Sequence, residues 1–170
     1  MTFRLHPACA AGFLFAGLFA SALSIDPVSA HTGATGVVKE RMDAMKDMRE
    51  AMKALNAMLK EGSYDRAEAQ KAAFTIRDHS GEQMTGLFPE GSLQHPSESL
   101  PTVWEEWPEF AAQAEELRVH ADALGAAMGN AAMGNSKAEI PPALQGLSPE
   151  DLFRRTARTC KTCHDGFRQD

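Results

Sequence analysis

Apolar and polar residues recur with a helical period along most of the chain. Val38, Met42, Met45, Met48, Met52, Leu55 and Leu59 follow one another at three- and four-residue steps, while Lys39, Glu40, Lys46, Arg49, Glu50 and Lys53 fill the other face. This pattern predicts an amphipathic helix from Val37 to about Glu61, closed by Gly62 as a left-handed cap. A second helix is expected near Asp65, whose spacing to Glu68 is that of a capping box with aspartate in place of serine or threonine. Its apolar positions, Ala69, Ala72, Ala73, Ile76 and later Met84, run towards Leu87, with Gly81 as a weak point. Residues 88–101 contain Pro89, Gly91, Pro96 and Pro101 with serines between them and read as a loop.

The third helix has the most regular pattern. Thr102 and Glu105 have capping-box spacing, and Val103, Trp107, Phe110, Ala114, Leu117, Ala121, Leu124 and Met128 then hold a heptad step. Pro108, past the first turn, is expected to kink this helix. The doubled Ala-Ala-Met-Gly-Asn at 126–130 and 131–135 reads as a helix exit into a loop ending at Pro141-Pro142. A fourth helix opens with Ser148 as cap, Pro149 as first helical residue and Glu150-Asp151 complementing the dipole. Leu152, Phe153, Thr156, Cys160, Cys163, His164 and Phe167 lie on its adjoining faces. Four amphipathic helices and no strand pattern predict an all-α fold, an antiparallel up-down-up-down four-helix bundle over residues 31–170.

Composition agrees, since alanine and methionine are plentiful and β-branched residues sparse. The net charge of -6 argues against a nucleic-acid partner, which needs a basic surface, and permits a basic protein partner. Residues 1–30 read as a cleaved signal peptide. Arg4 supplies the positive start, Ala8 to Leu23 the apolar stretch, and Val28-Ser29-Ala30 the small residues of a cleavage site. The apolar stretch is shorter than the ~20 residues of a spanning helix, so export to the periplasm with no membrane span afterwards is expected. Cleavage removes Cys9, which lacks a lipoprotein setting, and leaves Cys160 and Cys163.

Those two cysteines belong to Cys160-Lys161-Thr162-Cys163-His164. Thiols at i and i+3 share one helical face and can bond both vinyl groups of one porphyrin, and the next histidine can swing beneath the iron. The motif therefore reads as a c-type haem attachment, with His164 as proximal ligand. Two other readings compete. A redox dithiol normally opens a helix after a strand, and no strand is visible. Half a zinc site would need a second Cys/His pair, and there is none. What the haem does depends on its other face. A methionine sulfur gives a closed electron carrier, whereas an apolar residue leaves iron open to small gases. Met42, Met45, Met48 and Met52 are candidates, and each is equally a core-filling residue. His79, His95 and His120 show no ligand spacing, and His31 is an N-terminal copper chelator only in a reading with no partner histidine. No acid, base or nucleophile marks a substrate pocket, so no enzymatic activity is predicted.

The layout resembles the class II c-type cytochromes, which include cytochrome c′ and the cytochromes c-556. The residues that carry the resemblance are Cys160 to Arg168, Val38 to Met45, Tyr64-Asp65, Leu87-Phe88-Pro89 and Val103-Trp104. The haem motif near the chain end is the most specific of them. The resemblance implies a left-handed bundle with haem between its helices and a distal group four residues after the first helix's arginine, which is Met45. Cytochromes c′ typically carry an apolar residue there, and the c-556 type a methionine. It also implies that Arg41 lies near the haem propionates, where a guanidinium suits a carboxylate. Arg168, four residues after His164 and so on its helical face, corresponds to a basic residue shielding the proximal side. Phe167 is expected to pack in the core or on haem. The function implied is a periplasmic carrier cycling Fe(II) and Fe(III) with redox partner proteins. The alternative is a five-coordinate binder of nitric oxide or carbon monoxide. The family includes homodimers built from the first two helices as well as monomers.

Overall fold

Local capping chemistry sets three of the helix ends in the computed structural model, which describes residues 33–129 and 140–169. Helix α1 (Gly36–Glu61) stops where Gly62 turns left-handed, at φ 69°, and its N–H bonds back to the Met58 carbonyl. Helix α2 (Arg66–Asp78) opens on Asp65, whose side chain accepts from the Glu68 N–H at 2.9 Å. It does not run on towards Leu87. The Ser80 hydroxyl donates back to the Ile76 carbonyl at 2.6 Å, and Gly81, at φ 61°, turns the chain into a one-turn helix α3 (Glu82–Thr85).

The predicted third helix is two helices. A single turn, α4 (Thr102–Glu105), ends at Glu106, and α5 (Trp107–Met128) begins anew with Pro108 in its first turn. Pro108 therefore starts a helix instead of kinking one, because a first-turn residue has no helical partner for an N–H. The Thr102–Glu105 capping box does not form. The Thr102 hydroxyl instead donates to the Gly166 carbonyl at 2.9 Å. After a short 3₁₀ turn at Pro142–Leu144, helix α6 (Pro149–Phe167) opens on Ser148, which accepts from the Asp151 N–H at 3.1 Å. The signal peptide over 1–30 and the second Ala-Ala-Met-Gly-Asn copy lie outside the described residues.

The four long helices form the four-helix bundle, packed in chain order. Helix α1 lies on α2, α2 on α5, α5 on α6, and α6 closes the ring on α1. No strand occurs among the described residues, only a single bridge between Ser99 and Arg168. The core holds Leu55, Ile76, Val103, Phe110, Leu124, Met128 and Leu152, all essentially inaccessible. Each such large side chain contributes about 1.5–3 kcal/mol on burial. Ala69, Ala73, Ala114 and Ala121 keep the helices close. A buried pair, Arg77 on α2 and Asp122 on α5, joins these helices at 3.2 Å, with the guanidinium 3.8 Å from the Phe74 ring centroid. No helix among the described residues is long and apolar enough to cross a membrane.

The bundle is not evenly closed. The α2–α5 and α5–α6 seams are extensive, and the α1–α6 seam is the sparsest of the four. The loop between α3 and α4 runs alongside α6. There the Leu100 N–H donates to the Phe167 carbonyl at 2.9 Å and the Gln169 N–H to the Glu98 carbonyl at 2.8 Å.

Candidate haem-binding site

Helix α6 presents Cys160 and Cys163 on the side that meets the core, where both are half-buried and pack against the core cluster. Both are free thiols. Burial raises the Cys160 pKa, and burial together with the neighbouring Cys160 pushes Cys163 up to about 11. A reactive dithiol needs the opposite, a thiolate stabilised near neutral pH. The apolar setting thus disfavours the redox reading and suits sulfurs that face a large apolar ring. Among the described residues no group of three or more metal-ligating side chains could hold an ion, which leaves the zinc reading without ligands there.

His164 stands in the last turn of α6. It is exposed to solvent, yet desolvation by the surrounding protein lowers its pKa, and nearby Arg168 lowers it further, against opposing effects of Asp165 and Glu98. A lowered pKa favours the neutral imidazole, which is the form that binds iron. Arg168 does not share the helical face of His164. It caps α6 in extended conformation, exposed, and its guanidinium bonds Glu98 at 2.7 and 2.9 Å. The i,i+4 relation fails because the helix ends at Phe167. Arg168 acts on His164 through its field and fastens the helix end to the 86–101 loop. Phe167 is buried, stacked edge-on against Phe110 with ring centroids 5.3 Å apart.

On α1, Arg41 is buried and Met45, one turn further on, is half-buried. Arg41 is only 4 % exposed, and burial lowers its pKa. Its guanidinium lies 4.2 Å from the Phe88 ring centroid and donates through Nη2 to the Ser92 carbonyl at 2.6 Å. Its Nη1 is buried without a hydrogen-bond partner, and no carboxylate pairs with it among the described residues. A buried charge of this kind is costly unless an anion completes it. The propionates of a haem would supply one. Apolar thiols on α6, an open α1–α6 seam and an incomplete cation on α1 therefore all fit that group.

The four methionines of α1 differ in setting. Met48 is 7 % exposed, and its sulfur lies 3.9 Å from the Ser80 oxygen, whose one proton goes to the Ile76 carbonyl. Met42, Met45 and Met52 are half-buried, and Met45 and Met52 pack at the core edge as Cys160 and Cys163 do. The contact of Arg41 with Ser92 has no signal in the sequence, because a serine in a proline-rich loop carries no spacing pattern. A cavity of about 590 Å³ lined by Arg77, Ser80, Gln83 and Arg118, among others, shares no residue with this site.

A family model described as Cytochrome C′ matches residues 36–168. The chain belongs to the cytochrome c′ family. It is 33 % identical over 136 residues to the cytochrome c′ of Rhodopseudomonas palustris, covering 79 % of this chain and 82 % of that one. The cytochrome c-556 of Agrobacterium fabrum is 32 % identical over the same length and the same shares. The solved structure of the Rhodopseudomonas palustris cytochrome c′ superposes with a TM-score of 0.62 at 28 % identity, covering 81 % of this chain and 98 % of that one. The family assigns the cofactor as haem c with its iron, covalently attached, in a four-helix-bundle cytochrome.

Proposed function

We propose that this chain is a periplasmic electron carrier whose haem is bonded to Cys160 and Cys163, with His164 and Met45 as the axial ligands of the iron. The observation that carries this reading is the pairing of Arg41 with Met45 on one inward stripe of α1. Arg41, a buried cation lacking its anion, marks the propionate edge. Met45 is one turn further on, half-buried and packed at the core edge, as Cys160 and Cys163 are. Met48 is a weaker candidate, being enclosed in the core beside Ser80. When bound, the haem supplies a one-electron Fe(II)/Fe(III) couple, which a His/Met ligand pair shifts to higher potential. The chain's own part is to present a neutral imidazole, hold a thioether opposite it, and keep water away with the apolar seam. Export rests on the N-terminal segment, and its partners on this reading are redox proteins.

Replacing Met45 by alanine tests the ligand assignment. Wild-type ferrous protein is expected to bind carbon monoxide poorly, and Met45→Ala to bind it readily with a high-spin spectrum. Ready carbon monoxide binding by the wild type would instead favour the open-iron gas binder, the other activity implied by the resemblance. An unchanged spectrum in Met45→Ala would move the ligand elsewhere.

A further inference from the structure

Buried polar side-chain atoms in the described residues are nearly all paired, and three lack a partner: Arg41 Nη1, Ser92 Oγ and Gln113 Oε1. Gln113 is an ordinary case, since its amide is anchored through Nε2 to Glu109 at 2.8 Å. The other two occur together. Arg41 Nη2 donates to the Ser92 backbone carbonyl at 2.6 Å, so Nη1 and Oγ each lie a few covalent bonds from the same contact. Ser92 is only 5 % exposed, although its loop neighbours Gly91 and Gln94 are exposed. Leaving a buried hydroxyl without a partner is unfavourable, and a loop serine can normally turn towards water. Here it is held in.

Both orphaned groups can donate, and they belong to two residues already joined by the bond from Arg41 to the Ser92 carbonyl. A carboxylate has two oxygens and can accept a bond of about 2.7–2.9 Å from each of two such donors. We propose that Ser92 is a haem-propionate ligand. Its Oγ–H and Arg41 Nη1–H form a two-donor seat for one propionate of the covalently bound haem. Arg41 supplies the charge and Ser92 fixes the carboxylate's rotation. Because Ser92 belongs to the loop whose far end is bonded to Phe167 and Gln169, the seat joins α1, the propionate and the end of α6 around one edge of the haem. Ser92 is a positioning residue in this scheme. The assignment rests on the haem and not on Met45.

The test uses the holoprotein of wild type, Ser92→Ala and Ser92→Thr, with resonance Raman spectra of the propionate bending modes and the midpoint potential as readouts. Ser92→Ala is expected to shift one propionate mode and lower the potential, because a less neutralised carboxylate stabilises Fe(III). Ser92→Thr, which keeps the hydroxyl, is expected to restore both. A merely structural serine would change stability and leave the propionate mode alone, so a wild-type mode in Ser92→Ala overturns the proposal. A crystal structure of the wild-type holoprotein decides the matter without any variant. Ser92 Oγ at about 2.7 Å from a propionate oxygen is the expected result, and a propionate directed away from Ser92 overturns it.

Discussion

Arg41 shows how one residue can carry information about an absent partner. Its cation–π contact with Phe88 and its bond to Ser92 offset part of the cost of burying a charge. Neither supplies the opposite charge that such a site calls for. His120 on α5 is the contrasting case, a buried residue with a sufficient partner. Its Nδ1 lies 3.1 Å from the Thr159 hydroxyl, beside Cys160, and burial lowers its pKa from 6.5. The native state therefore keeps His120 neutral below the pH at which the unfolded chain takes up a proton. Its contribution is fully present above about pH 6.5 and declines as pH falls below that value, levelling off beneath the depressed native pKa. Urea midpoints measured from about pH 8 to about pH 5 should fall in the wild type and fall less steeply in His120→Gln. Equal slopes would show that His120 is not responsible.

At the scale of elements, the α2–α5 seam depends on a missing side chain. A Cβ on Gly125 would come within 2.4 Å of Phe74 Cε1. Gly125→Ala gains about 1 kcal/mol of helix propensity but overpacks a tight seam, which costs about 1–3 kcal/mol. A net loss of roughly 1 kcal/mol is expected in chemical denaturation, and a more stable variant would show that Phe74 simply moves aside. The sequence was legible wherever an element's end is decided locally. Ser148, Asp65 and Gly62 each act on a backbone group within four residues, and the helices end as their spacing predicts. It was misleading where a distant partner intervenes. Thr102 has the spacing of a cap, but Gly166, 64 residues away, takes its hydroxyl, and α4 is cut to a single turn. The methionine stripe likewise revealed which face of α1 turns inwards but not how deep each residue lies. That depth depends on Ser80, just beyond the end of α2, which no period within α1 encodes. Cys160, Cys163 and His164 form a candidate site in the sequence because they are contiguous on one helix. Ser92 does not, because its contact with Arg41 exists only once the loop is laid against α1.

The whole molecule is a ring of four helices with one weak seam. Tight α2–α5 and α5–α6 contacts make a frame, and α1 meets α6 only sparsely. The 86–101 loop joins the two helices, bonded to the end of α6 through Leu100 and Glu98 and to α1 through Ser92. On the proposed reading, this side of the bundle holds the haem. It serves electron transfer when both faces of the iron are occupied and gas capture when one face is open. The ferric spectrum of the purified wild-type holoprotein distinguishes the two most directly. A low-spin spectrum with the weak long-wavelength band of iron–thioether ligation is the predicted result. A high-spin ferric spectrum would contradict the assignment of Met45 and, with it, the electron-carrier reading.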